Sequence, residues 1–214
     1  HLITHGGHVT ADVADALAEA GVAIVNMSVY APEPGPHDAI TKVPGSWQRT
    51  IDAAKRLVAR GVRTTFKCVV MDFNADAVLG MRDFAKSLGV SITFDADIKG
   101  DNAGSDQLMD LSLDPDRRSA MMGCIYPSLV EREQLPYFSP DEHTCMAGNA
   151  SCYVSPDGTV QPCLDWEENA GNVREQSFKE IWLDSPVFRR ARTIRRSSFS
   201  GCTSCDSFSS CGLC

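Results

Sequence analysis

Three times in its first hundred residues the chain passes from an amphipathic stretch through Gly-Val into a β-prone one: "AGVAIVNMSVYA", "RGVRTTFKCVVM" and "LGVSITFDADI". The stretch before Gly21 predicts a helix from near Thr10 with Val13 and Leu17 on one face. The stretch before Gly61 predicts a helix capped by Ser46 that buries Trp47, Ile51, Ala54, Leu57 and Val58 at a 3.6-residue period. The third, before Gly89, is expected to be capped by Asn74 and carries Val78, Met81, Phe84, Ala85 and Leu88. Each glycine falls where a helix ends in the left-handed conformation. Helices of this length alternating with strands mean βαβ units and a parallel sheet. The opening "HLITHGG" reads as the end of one more strand.

Parallel α/β sheets place their chemistry at the carboxyl ends of the strands. Here those ends carry Thr4 to Gly7, Ser28 to Ala31, Met71 to Asn74 and Asp95 to Lys99. Asp95 and Asp97, two apart, are expected on one face of a strand, either as a functional pair or as solvated strand-end acids. From Gly100 to about His143 the text is irregular. "GDNAGSD" reads as a loop, and "DPDRRSAMMGCIYPSLVERE" as a helix interrupted near Pro127. Cys68 and Cys124 are expected to be small buried hydrophobes.

After Cys145 the sequence turns to short strands and turns. "CYVSPDGTVQPC" predicts a hairpin, with Tyr153-Val154 and Thr159-Val160 flanking a Ser-Pro-Asp-Gly turn. Ser177 and Glu180 form a capping-box pattern that starts a helix, and Ser185-Pro186 starts another. "FRRARTIRRS" (Phe188 to Ser197) is expected to be the solvated face of a helix.

Nine cysteines are many for 214 residues, and the odd number fits a disulfide framework poorly. Seven of them crowd the last third: Cys145, Cys152, Cys163, Cys202, Cys205, Cys211 and Cys214. Such clustering points to metal ligation. Zinc and iron–sulfur are the two soft-ligand candidates. The two Cys-x2-Cys pairs of the tail stand only five residues apart, short for a zinc ribbon, and no histidine follows His143. Seven thiolates exceed one zinc site and fall one short of two, so the density favours iron–sulfur over zinc. A net charge of -8 argues against a nucleic-acid partner. No apolar run approaches the roughly 20 residues of a membrane helix, and no signal peptide is visible, so the expectation is a cytoplasmic protein with no membrane role.

"CMAGNASCYVSPDGTVQPC", then "GNVREQSFKEIW", then "CTSCDSFSSCGLC" resembles a SPASM domain, the auxiliary-cluster module of many radical S-adenosylmethionine (SAM) enzymes. Cys145-x12-Gly158-x4-Cys163 and Cys202-x2-Cys205-x5-Cys211 match the family pattern. The α/β repeats resemble the later part of the family's partial (β/α)6 barrel. "ITHGG" stands where the family has a "TNG" strand end, and "NMSVYAPEPGPHDAITKVPGSWQRTIDA" resembles the next strand and helix. The fold class implied is α/β: the C-terminal part of a partial (β/α)6 radical SAM barrel, then a small cysteine-rich SPASM domain with a β-hairpin and short helices. The expected division is 1–100 for the barrel part, 101–143 for a connecting region and 144–214 for the SPASM domain.

The resemblance also implies function. Two auxiliary 4Fe–4S clusters are expected, one on Cys145, Cys152, Cys163 and Cys214, the other on Cys202, Cys205 and Cys211 with a fourth ligand further along. Cys211-x2-Cys214 departs from the family's usual x3. Ser28 matches a strand-end serine near the SAM amino-acid moiety, and Lys42 stands near a basic position for its carboxylate. The Cys-x3-Cys-x2-Cys loop that holds the SAM-reducing cluster occurs nowhere in the chain. The expectation is therefore a piece truncated at both ends and inactive by itself, which in the intact enzyme relies on SAM and a further 4Fe–4S cluster. That enzyme would modify a peptide or protein by 5′-deoxyadenosyl radical chemistry and take electrons from a flavodoxin or ferredoxin. A non-catalytic module stabilised by zinc or iron–sulfur is the alternative.

Overall fold

A computed structural model describes residues 1–100, 105–126, 137–206 and 208–211. The chain divides into two compact units, His1–Glu131 and Arg132–Cys214.

The first unit is built on a four-stranded sheet, β1 (Leu2–Thr4), β2 (Val25–Ser28), β3 (Thr64–Val69) and β4 (Ser91–Asp95), in the order 1-2-3-4 and parallel throughout. The helices between them are α1 (Ala11–Glu19), α2 (Pro34–Thr41), α3 (Ser46–Ala59), α4 (Ala75–Val78) and α5 (Met81–Ser87). A single device makes the three returns from helix to strand. At Gly21, Gly61 and Gly89 φ is +65°, +73° and +70°. The valine that follows sends its N–H back across the turn, Val22 to Leu17, Val62 to Leu57 and Val90 to Ala85, at 3.0–3.1 Å. This is the Schellman closure: glycine supplies the left-handed residue, and the valine after it packs against the core while opening the strand.

Val25, Met27, Phe66, Phe94, Ile51 and Leu57 centre the core of this unit. Trp47 and Val58 are half-buried against it, whereas Thr50 and Ala53 are fully buried. Val13 points outward at 41% exposure, contrary to the sequence reading, because α1 turns Ala14, Leu17 and Ala18 inward instead. Thr10 does cap α1, accepting the Val13 N–H at 3.3 Å. Ser46 does not cap α3: the carboxylate of Asp38 accepts the N–H groups of Gly45 (2.6 Å) and Trp47 (2.8 Å), and Ser46 Oγ donates to it at 2.8 Å. The α2 that brings Asp38 there begins at Pro34 and was hidden in sequence by Pro-Gly-Pro. Beyond β4 follow a 3-10 turn, Gln107–Leu111, and α6 (Pro115–Ile125), whose N-cap Asp114 accepts from Arg117 N. The interruption expected near Pro127 lies outside the described residues. Cys124 is exposed rather than buried, since Met121 and Ile125 take the inward positions of α6.

The second unit carries a small antiparallel sheet, β5 (Tyr153–Val154), β6 (Thr159–Gln161) and β7 (Gly171–Asn172). The hairpin turn closes where the sequence placed it, Gly158 N–H to Ser155 O at 2.9 Å, with Gly158 at φ +92°. Helices α7 (Phe178–Asp184), α8 (Pro186–Ala191) and α9 (Ser200–Thr203) follow. The Ser177–Glu180 capping box is formed in both directions, and Pro186 takes the first turn of α8. Val160, Ala170, Ile181, Val187 and Phe188 make this unit's separate core.

Candidate functional site

The carboxyl ends of β1 and β2 in the first unit open on a cavity of about 460 Å³. Side chains from the helices hold the loops that shape it. Thr50 on α3 donates to His5 O at 2.8 Å, and Trp47 Nε1 donates to Ala31 O at 3.1 Å. Asn74 was expected to cap a helix. Its buried amide instead takes the Met71 N–H (2.7 Å) and donates to Tyr30 O (2.9 Å) and Val69 O (3.0 Å), tying the ends of β2 and β3 together. Gly6, at φ +77°, holds a left-handed conformation that strains any other residue, and a Cβ there would also press on the end of the Met27 side chain.

Ser28 lines the cavity. Lys42 is the left-handed cap of α2, at φ +56°, with an exposed side chain, while its neighbours Thr41 and Val43 line the cavity. His5 and Tyr30, in the strand ends that the sequence marked, also line it, as do His37 and Arg49, which the sequence reading missed. His37 is 2% exposed. Its Nδ1 accepts the Tyr30 N–H at 3.3 Å, so the neutral ring carries its proton on Nε2. Burial pushes its pKa below the ordinary value, against the opposing pull of Asp38. Asp38 is itself held low, first by the Trp47 N–H and further by Ser46 and Gly45. Asp95 and Asp97 do not share a strand face, because β4 ends at Asp95. Asp97 N–H turns back to Asp95 Oδ1 at 2.9 Å, and its carboxylate pairs with Arg118, so they are the solvated acids of the blander reading.

The second unit holds the crowded cysteines. Cys145, Cys205 and Cys211 are exposed, Cys152, Cys163 and Cys202 half-buried, and all six are free thiols; Cys214 lies outside the described residues. The turn over Cys202 and Cys205 is closed by Cys205 N–H to Cys202 O at 3.0 Å, and Phe208 N–H returns to Cys205 O at 2.9 Å. Cys163 Sγ accepts the Asp165 N–H at 3.4 Å. Burial pushes the Cys152 thiol up. By contrast Cys68, in β3 of the first unit, is driven to about 12 by burial alone, which removes it from ligation. Among the described residues no three Cys, His, Asp or Glu side chains converge on one ion position. The donor set nevertheless suits an iron–sulfur group: six reachable thiols, all in one compact unit, with one sulfur already bonded to a backbone N–H.

The basic stretch is only partly solvated. Arg189 and Arg190 are exposed and pair with Asp184 and Glu168. Arg192 instead lies over the rings of Trp182 (4.8 Å) and Phe188 (5.6 Å), and Arg196 is 2% exposed.

Comparison with known proteins agrees with this arrangement. Residues 1–85 match the radical SAM superfamily, and residues 145–206 match the SPASM family, an iron–sulfur cluster-binding domain. The first match falls on the parallel-sheet unit and the second on the cysteine-rich unit. A relative named PqqA peptide cyclase, from Methylobacterium sp. (strain 4-46), is 28% identical over 96% of this chain and 58% of its own length. The AdoMet-dependent heme synthase of Methanosarcina barkeri is 26% identical over 89% of the chain and 62% of its own. The chain thus spans about three-fifths of the length of these relatives. Among solved structures, Streptococcus suis SuiB bound to S-adenosylmethionine superposes with a TM-score of 0.71 at 16% identity, over 99% of this chain and 54% of that one. The enzyme anSMEcpe with bound AdoMet and a peptide gives 0.66 at 18% identity, over 99% and 64%. These structures share the fold of this chain.

Proposed function

We propose that this chain is part of a longer radical SAM enzyme that modifies a peptide or protein, and that region 144–214 holds its auxiliary 4Fe–4S clusters. The observation that carries the reading is the set of free, reachable thiols in the unit that matches the SPASM domain. In this proposal Cys145, Cys152, Cys163 and Cys214 ligate one cluster, and Cys202, Cys205 and Cys211 contribute to a second. The cavity at the ends of β1 and β2 takes SAM, with Ser28 among its lining and Lys42 beside it for the carboxylate. The peptide substrate rests on the relative named PqqA peptide cyclase. Electrons would come from a small redox protein such as a flavodoxin or ferredoxin.

When bound, the clusters and SAM supply one-electron chemistry that removes a hydrogen atom from the substrate. The chain's own residues do simpler work. Thr50, Trp47 and Asn74 fix the strand-end loops, so that the cavity keeps its shape before anything enters. His37 stays neutral, locked in one tautomer by the Tyr30 N–H. In the second unit the Asp165 N–H holds Cys163 Sγ by a hydrogen bond.

Anaerobic reconstitution of the chain, with iron, sulfide and zinc analysis and electron paramagnetic resonance of the reduced protein, tests the reading. Iron and sulfide in equal amounts, at about four or more of each per chain, with a signal lost in Cys145→Ala or Cys163→Ala, is the expected result. Zinc without sulfide sinks it and leaves a zinc-stabilised module.

A further inference from the structure

Arg196 is the one Lys, Arg, Asp or Glu side chain among the described residues that is buried, at 2% exposure. Its surroundings are unusual for a cation. The guanidinium lies over the rings of Phe138 (4.7 Å) and Phe208 (5.3 Å). Its Nη2 donates to the carbonyl oxygens of Phe208 and Cys211, the latter at 2.7 Å. Its Nε is buried with no partner. No carboxylate among the described residues pairs with it.

Burying a charge without a counter-charge is costly, and two rings and two carbonyls offset only part of that cost. A buried cation with a spare N–H donor therefore points to an anion that belongs beside it. The backbone around Arg196 says which side chains that anion would use. Arg196 N–H bonds to Glu142 O and Ser197 N–H to Pro140 O, both at 3.0 Å, while Phe138 N–H bonds to Ser209 O at 2.7 Å. Arg196 thus stands where the segment leading to Cys145 crosses the terminal cysteine loop. Of the carboxylates there, Glu142 takes the Ser139 N–H and Asp206 forms no ion pair with Arg196, which leaves the thiols of that loop as the acids that can face it.

We propose that Arg196 is a positioning residue and buried counter-charge for the thiolate-bound iron–sulfur group of the terminal loop, served by Cys202, Cys205 and Cys211. The proposal rests on the cluster-binding reading above. Its two carbonyl bonds fix the backbone of Phe208 and Cys211, and its buried charge balances the negative charge that thiolate ligation brings to that loop. Reduction adds one more negative charge, so Arg196 also raises the reduction potential of that cluster.

The test uses the full chain, reconstituted anaerobically, as wild type, Arg196→Gln, Arg196→Lys and the exposed control Arg189→Gln. Arg196→Gln is expected to lose part of the bound iron and sulfide, at most about half, because one of two thiol groups is affected. The remaining terminal-loop signal should shift to a more negative midpoint in a titration followed by electron paramagnetic resonance. Arg196→Lys keeps the charge and loses the fork: less iron, unchanged midpoint. Arg189→Gln should match wild type in both. Wild-type loading and midpoint in Arg196→Gln overturn the proposal. If Arg196→Gln loses its fold by circular dichroism, Arg196→Lys decides: reduced loading at the wild-type midpoint supports the proposal, whereas full loading or a shifted midpoint overturns it. A wild-type chain that binds no iron and sulfide overturns the cluster reading itself and the proposal with it.

Discussion

The thiols of this chain should sort themselves by alkylation, and the structure fixes the order. Cys68 is 1% exposed, and its pKa is raised from the ordinary 9.0 to about 12. At about pH 8 that shift lowers its thiolate fraction roughly 1000-fold relative to a thiol at the ordinary value. A more basic thiolate is also a better nucleophile, and over three pKa units this restores about 20-fold. The net deficit is about 50-fold before access is considered, and burial can only add to it. Cys124 is exposed on α6, belongs to no candidate ligand set, and serves as the internal reference. In the metal-free chain, mass spectrometry of iodoacetamide-treated protein should show Cys124, Cys145, Cys205 and Cys211 labelled first, then Cys152, Cys163 and Cys202, and Cys68 last by at least about 50-fold. After anaerobic loading the candidate ligands should become protected while Cys124 keeps its rate. Labelling of Cys68 on the timescale of Cys124 would refute the burial argument. Protection of Cys124 without protection of Cys145 and Cys163 would refute the ligand assignment.

Two further outcomes follow from the first unit. Gly61 and Gly35 both have open space where a Cβ would stand, but only Gly61 has positive φ, at +73°. Gly61→Ala should therefore cost about 1–2 kcal/mol in urea unfolding, and more than Gly35→Ala, where the entropy gain is opposed by the clash of a Cβ in helical backbone with the following Pro36; an equal or smaller cost at Gly61 would contradict the conformational account. His37 has a pKa lowered by burial, so the unfolded chain takes up its proton first as pH falls. Stability from this group is complete above about pH 6.5 and declines below it, so unfolding midpoints should fall between about pH 7.5 and 5.5 in wild type and fall less in His37→Gln. Asp38, held low by Trp47 N–H, contributes only further into acid.

The returns from helix to strand were legible because they are local. A residue at positive φ followed by one whose N–H reaches back five positions needs nothing from the rest of the chain, and Gly-Val states it three times. The capping residues were misread where a distant group took over the job. Ser46 is a good N-cap in isolation, yet Asp38 arrives on α2 and accepts from two N–H groups and the Ser46 hydroxyl itself. Asn74 sits at a helix start, but its amide is used across strands. Strand β7 was missed because Gly171–Asn172 is too short to carry a period.

The cysteine module shows the same boundary from the other side. Spacing alone separated its thiols from Cys68, since ligation chemistry is written in residue type and interval. Spacing could not find Arg196, which sits in a run of four arginines within seven residues, 190, 192, 195 and 196. Exposed Arg190 and buried Arg196 carry identical side chains. What separates them is which rings and carbonyls other segments bring: Glu168 to one, Phe138, Phe208 and the Cys211 carbonyl to the other. Burial of a charge is decided by tertiary partners, and for Arg196 the partner proposed above is the thiolate-bound group of the terminal loop.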